Sequence, residues 1–142
     1  MSKASRDKGL RAERELRNEL AAELGDGVIR ELGASRDGGH DLTGAGPFAI
    51  EVKRREKLEL RAWWQQACDQ ADRVGMVPAL AYRQSRQPWV FVVPLGVLRG
   101  NAAPWDRQAL ASVHMDGFVL IVRELESAKA LARQVRSQLE AS

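Results

Sequence analysis

The chain predicts an α/β protein built on a mixed β-sheet with helices on both faces. Three observations carry this. Stretches with apolar residues at helical spacing open the chain, recur in its middle and close it. Between them lie short segments that either alternate apolar and polar residues or run continuously apolar, over lengths suited to strands. The resulting order, helix, strand hairpin, helix, strands, helix, places a sheet between covering helices. With 142 residues, 44% hydrophobic and 29% charged, the composition suits one globular domain over 1–142, the C-terminal helix (about 124–140) belonging to it.

Residues from about Ser5 to Leu24 form the predicted opening helix, with Leu10, Leu16, Leu20 and Leu24 as its stripe and Gly25-Asp26-Gly27 as its stop. Val28 to Leu32 is a short strand, and Gly33 to His40 a polar loop with three glycines. Asp41-Leu42 begins a hairpin through Thr43-Gly44-Ala45-Gly46-Pro47 into the strand Phe48 to Lys53. Glu59 to Val74 is a second helix, with Leu60, Trp63 or Trp64, Ala67, Ala71 and Val74 on its stripe. Trp63 and Trp64 differ by about 100° around the helix axis, so one belongs to the core and the other is expected to reach the surface. Gln65, Gln66 and Gln70 read as polar decoration beside it. Met76 to Tyr82 and Trp89 to Leu95 are strands, the second apolar enough to be buried on both faces. Gly96 to Pro104 reads as irregular, Trp105 to Val113 as a short helix and Phe118 to Val122 as a further buried strand. Glu124 to Glu140 closes the chain as a helix with the seam Leu125, Ala128, Ala132, Val135, Leu139.

Composition excludes several classes. No apolar run approaches the roughly 20 residues of a membrane span, and the charged N-terminus lacks the apolar core of a signal peptide. A lone cysteine, Cys68, cannot form an internal disulfide; it fits a reducing cytosol and reads as a small buried helix residue. One Cys and two His do not build a zinc site of the usual sulfur-nitrogen kind. A net charge of +3 permits a polyanionic partner. The basic residues are clustered: Lys3, Arg6, Lys8, Arg11, Arg14 and Arg17 crowd the chain's start, and Lys53, Arg54, Arg55 and Lys57 follow one strand. Two such clusters read as phosphate contacts.

That strand carries the chemistry. In Phe48-Ala49-Ile50-Glu51-Val52-Lys53 the period of two sends Phe48, Ile50 and Val52 to one face and Glu51 and Lys53 side by side to the other. A carboxylate and an ammonium on an otherwise apolar strand are costly to bury unless they pair or hold a ligand. Asp41 precedes Glu51 by ten residues, and the intervening turn sets the two acids together with Lys53 at one sheet end. Oxygen ligands of this kind hold hard divalent cations. Glu13 falls on or beside the apolar stripe of the first helix, where an acid needs a partner, either a buried arginine or a metal site. Such a set suits phosphodiester hydrolysis, in which a metal activates water and neutralises developing charge while a lysine steadies it.

An acid, ten residues, then Glu-x-Lys on a hydrophobic strand resembles the PD-(D/E)XK nuclease superfamily, with His40 standing where proline is usual before Asp41. Lys8-Gly9-Leu10-Arg11-Ala12-Glu13 is similar to the opening helix of archaeal-type Holliday junction resolvases. Val28-Ile29-Arg30 followed by Gly33-Ala34-Ser35 resembles their strand and serine-bearing loop. The resemblance covers roughly Arg6 to Leu98 and implies a restriction-endonuclease-like fold and Mg²⁺-dependent DNA cleavage, with Mn²⁺ able to substitute. It implies Asp41, Glu51 and the Val52 carbonyl as metal ligands, Lys53 as the catalytic lysine and Glu13 as a metal or water ligand. Arg6, Lys8, Arg11, Ser35, Arg36 and Arg54 become candidate DNA contacts, and Gln66 a candidate on the helix beside the site. It further implies branched DNA as substrate, a homodimer and no membrane, in the cytoplasm of a bacterial, archaeal or phage-infected cell. Three rivals stand beside it: a phage or mobile-element endonuclease of the same fold acting on other DNA, an inactive DNA-binding module, and a structural Glu51–Lys53 ion pair. Four tryptophans and the C-terminal seam compete as the expected dimer surface.

Overall fold

The computed structural model describes residues 2–31, 41–100 and 106–142. Ser2 caps the first helix, α1 (Lys3–Leu24), by accepting from the Ser5 backbone N–H. The chain continues through β1 (Ile29–Arg30), β2 (Leu42–Ala45), β3 (Phe48–Arg54), α2 (Leu60–Val74), β4 (Val77–Arg83), β5 (Val90–Pro94), α3 (Leu95–Leu98), β6 (Leu110–Val113) and α4 (Met115–Ala141). The six strands form one sheet in chain order. β3 and β4 are parallel, with Glu51 beside Leu80 and Lys53 beside Tyr82, and α2 makes the crossover between them. The other pairs are antiparallel, so the sheet is mixed, as predicted.

The alternation along β3 sorts the core. Phe48, Ile50 and Val52 join Ala12, Leu16 and Leu20 of α1 and Phe118, Val119 and Val122 of α4 in one cluster. On the opposite face Trp63, Trp64, Ala67 and Cys68 of α2 pack with Leu80 and Val92. The sheet is thus covered by α1 and α4 on one side and by α2 on the other. Gly44 holds the hairpin against the α1–β1 connection: it has φ +90°, and a Cβ there would sit 1.8 Å from the Gly27 carbonyl oxygen. The β2–β3 register shifts across it, between Leu42 and Ala45, so the predicted turn narrows to Gly46-Pro47.

Several expected elements differ. Phe118 to Val122 is helical, part of α4, which starts at Met115 and not near Glu124. Five consecutive apolar residues fit a doubly buried strand equally well; here Phe118 and Val122 stack on one helix face while Leu120 points out, 58% exposed. The predicted short helix over Trp105 to Val113 is corrected in its described part: Leu110–Val113 is an edge strand on β5. The stretch after Gly96 is not wholly irregular, since α3 runs Leu95–Leu98. Leu10 leaves the α1 stripe at 43% exposed, Ala12 taking its place. Trp63 and Trp64 are both buried, because the first packs on Tyr82 and the second donates its indole N–H to the Arg107 carbonyl at 2.9 Å. Trp89 is buried too, and Trp105 lies outside the described residues. Among the described residues no helix is long and apolar enough to cross a membrane.

Candidate active site

The hairpin builds the site through its backbone. Asp41, just ahead of β2, donates its N–H to the Ile50 carbonyl at 2.9 Å and accepts from the Glu31 N–H at 3.0 Å. Its side chain then turns to β3, where Oδ2 accepts the Val52 N–H at 2.7 Å. Asp41 is therefore fixed beside Glu51, although ten residues separate them in sequence. Glu51 lies on the α2 face of β3, and its Oε1 receives the Lys53 Nζ at 3.2 Å. Asp41, Glu51 and Gln70 are the buried polar and charged side chains among the described residues.

Burying two carboxylates together is expensive, and their proton affinities show it. Asp41 is pushed up from 3.8 to about 8, by burial first, then by Glu51 and Glu13, against the opposing Val52 N–H and Lys53. Glu51 is raised by burial as well. Lys53 opposes the shift most, the Gln70 amide adds a hydrogen bond that opposes it further, and Glu13 reinforces it. The Glu51 Oε2 and the Gln70 Oε1 are buried and find no hydrogen-bond partner among the described residues.

Glu13 reaches this field from α1, but its Oε2 is taken by Arg30 Nη2 of β1 at 3.2 Å, both side chains being mostly buried. Of the two partners an acid on that stripe could have, the structure shows the arginine. Among the described residues no three His, Cys, Asp or Glu side chains lie close enough to hold a metal together. A donor set of Asp41 and Glu51 with a carbonyl such as that of Val52 nevertheless fits Mg²⁺, which is ordinarily held by one or two carboxylates while keeping several waters. A Glu51 oxygen without a partner among the described residues and the elevated Asp41 are the marks of a carboxylate pair that Lys53 balances only in part.

The expected DNA contacts divide. Arg6 and Arg11 lie on the exposed side of α1. Glu56 is favoured in its ionised form first by the Ser85 hydroxyl and then by Arg54 and Lys8, which brings the start of α1 to the loop after β3. Arg54 is engaged there, 3.3 Å from Glu56 and within reach of the Ser85 hydroxyl. Ser35, Arg36 and His40 lie outside the described residues. Gln66 is exposed on α2, one turn before Gln70.

Two residues escaped the sequence reading, Gln70 and Arg30, and both carried a signal. Gln70 follows Trp63 by seven and Ala67 by three, squarely on the apolar stripe of α2, so the criterion that singled out Glu13 selects it over Gln66. Arg30 follows the fully buried Val28 by two, so strand alternation turns it inward.

A mixed sheet that presents an acid, Glu-x-Lys and a helix glutamate at one end is the framework of PD-(D/E)XK nucleases. The family described as "Phage putative PDDEXK endonuclease" matches residues 4–132, and the chain belongs to it. Among solved structures the chain is similar to Hjc, a Holliday junction resolvase from the archaeal hyperthermophile Archaeoglobus fulgidus. The two share 26% identity over 80% of this chain and 88% of that one, with a TM-score of 0.45. No curated protein sequence matches.

Proposed function

We propose that this chain is a divalent-metal-dependent DNA endonuclease whose site is Asp41, Glu51 and Lys53, seconded by Glu13. The observation that supports it most is the burial of Asp41 and Glu51 side by side with, among the described residues, one lysine against them. A structural ion pair needs one acid. A second buried acid, raised to about 8 by burial and by the neighbouring Glu51 and Glu13, belongs to a site that receives a cation.

Asp41, Glu51 and the Val52 carbonyl would hold Mg²⁺ or Mn²⁺, which supplies Lewis-acid stabilisation of the phosphate and a more acidic water. The chain's own groups do the rest. The Val52 N–H holds the Asp41 carboxylate in one orientation. Gln70 donates to Glu51 and holds it from the α2 side. Lys53, free to leave Glu51 once a cation arrives, is placed to steady negative charge on the scissile phosphate or orient the attacking water. Glu13, neutralised in part by Arg30, is near enough to orient a water and too occupied to serve as a principal ligand. Arg6, Lys8, Arg11 and Arg54, with Ser35 and Arg36 from the intervening loop, are the proposed backbone contacts to DNA.

The finer substrate reading is a four-way junction cut by a two-fold dimer. It rests on the likeness of the opening helix and motif spacing to junction resolvases, since two symmetric nicks call for two copies of one site. The family's phage membership favours a second reading, an endonuclease acting on other DNA. Purified protein with Mg²⁺ on equimolar four-way junction, flap and duplex DNA separates them. Cleavage of the junction in preference to the others is expected. Equal rates on duplex favour the second reading, and undiminished cleavage in excess EDTA would refute the metal-dependent site.

A further inference from the structure

We propose that the outer half of α4 pairs with the same helix of a second copy, as a short parallel two-stranded coiled coil over residues 121–139. This deepens the dimer proposed above and rests on that reading for its role, though not for its test.

α4 docks on its own sheet only near its start. Phe118, Val119 and Val122 are buried and Ile121 and Leu125 are partly so, but every residue from Glu126 to Ser142 is exposed. Some 16 residues, about 24 Å of helix, thus bury no side chain in the domain, although Glu126, Lys129 and Arg133 border a shallow cavity with Gly46 and Pro47. An isolated helix of that length is marginal in water even for good helix formers. The sequence is not that of a polar tail. Ile121, Leu125, Ala128, Ala132, Val135 and Leu139 recur at alternating spacings of four and three, the heptad repeat of a coiled-coil seam. Leu131, Val135 and Leu139 are 61%, 46% and 70% exposed.

The seam also faces the right way. At about 100° per residue, the side of α4 that covers the sheet centres on Phe118 and Val122, whereas the seam centres on Ala128, Val135 and Leu139, rotated by roughly 100°. Ile121 and Leu125 are shared with the domain's own core, so a second helix can lie along the seam from Ala128 outward without displacing the domain. Ala128 and Ala132 allow close approach in the middle layers.

Flanking charge selects the occupant and its direction. One flank of the seam carries Glu124, Leu131 and Gln138, the other Lys129 and Arg136. In a parallel, in-register pair each Glu124 lies against Lys129 of the other copy, and the Arg136 stem covers exposed Leu131. Both contacts occur twice by symmetry. An antiparallel pair would instead bring the Lys129 and Arg136 flanks together, a repulsion without compensation. Self-complementarity of this kind fits a second copy of this chain, and the parallel direction carries both domains on one side of the pair, where two sites can meet one DNA.

The test is the mass of the full chain by light scattering after size exclusion, at micromolar concentration, with three variants. The wild type should run at twice its 15.8 kDa. The double variant Val135→Glu/Leu139→Glu alters exposed positions only, so it should keep its fold by circular dichroism and run at the monomer mass. Val135→Cys should form a disulfide-linked dimer on mild oxidation, since residue 135 faces itself in the parallel register, while buried Cys68 should leave the wild type unlinked. Ala128→Cys should link in the same way. A wild-type monomer, or a double variant that stays dimeric, overturns the proposal. A dimer in which neither single cysteine links to itself overturns the parallel direction. Nicking of duplex DNA by the monomeric variant is read separately: a dimer by this route without any Mg²⁺-dependent cleavage would defeat the nuclease reading and leave the interface standing.

Discussion

Asp41→Asn should stabilise the metal-free protein, and by more as the pH rises. The folded protein retains the Asp41 proton up to about pH 8, while the carboxyl's ordinary value is 3.8. Between those limits folding takes up a proton, so the wild type loses stability steadily as pH rises through the window and carries the full cost above it. The window spans roughly four units at about 1.4 kcal/mol each, which bounds the cost at about 6 kcal/mol and makes a few kcal/mol the expected size. Asparagine keeps the shape and can still accept the Val52 N–H through its amide oxygen, but it has nothing to ionise. Whatever the amide costs in packing is independent of pH, so the quantity to measure is the gap between variant and wild type. Thermal unfolding in EDTA at pH 5 and pH 9 gives it: the gap should widen by a few kcal/mol, or roughly 10 °C in Tm for a chain of this size. Added Mg²⁺ should reverse the order at pH 9, because only the wild type keeps both carboxylates for it. A gap that does not change with pH would show that Asp41 is not strained by its surroundings, and the argument for an unmet cation site would fall with it.

Three further substitutions separate the roles assigned to the other side chains. Lys53→Ala should lower single-turnover cleavage by at least about 100-fold with DNA affinity little changed, since affinity comes from many phosphate contacts; near wild-type cleavage removes Lys53 from the mechanism. Glu13→Gln relieves repulsion at Asp41 and Glu51 but leaves Arg30 without its acid, so Tm should move by only a few degrees while activity is lost; a large fall in Tm with activity kept would make Glu13–Arg30 a structural pair. Gln70→Leu should weaken Ca²⁺ binding, followed by calorimetry at fixed pH, by about tenfold, as loss of a group holding a ligand commonly does; unchanged affinity would leave Gln70 a buried polar residue of no consequence to the site.

The elements that sequence periodicity identified are those whose two faces differ. β3 alternates because one face meets α1 and α4 and the other meets α2 and the site, and its boundaries were legible to within a residue. Phe118 to Val122 was misread because five apolar residues in a row carry no period. Only its tertiary setting, one helix face on Phe48 and Phe91, shows that it turns with α4. Leu110–Val113 was missed for the opposite reason: an edge strand with exposed and half-buried residues has little apolar signal, and its pairing with β5 is a long-range fact.

The site was legible because charge in an apolar pattern is costly and therefore rarely idle. Glu51 and Lys53 stood out by alternation, Asp41 by the turn that returns it to β3, and Glu13 by its place on a stripe. The same reasoning, carried through evenly, reaches Gln70 and Arg30 as well, and these two change the chemistry. Arg30 engages Glu13 directly and opposes part of its charge, without neutralising the pair at its centre, where Asp41 stays high. Gln70 offers Glu51 a donor, while its own oxygen finds no partner among the described residues. On the proposed reading, with the outer acid partnered and the inner pair only partly balanced, a cation would gain most between Asp41 and Glu51. Among the described residues Lys53 is the cationic side chain that holds Glu51, and it is the one that reading has a cation release toward the phosphate.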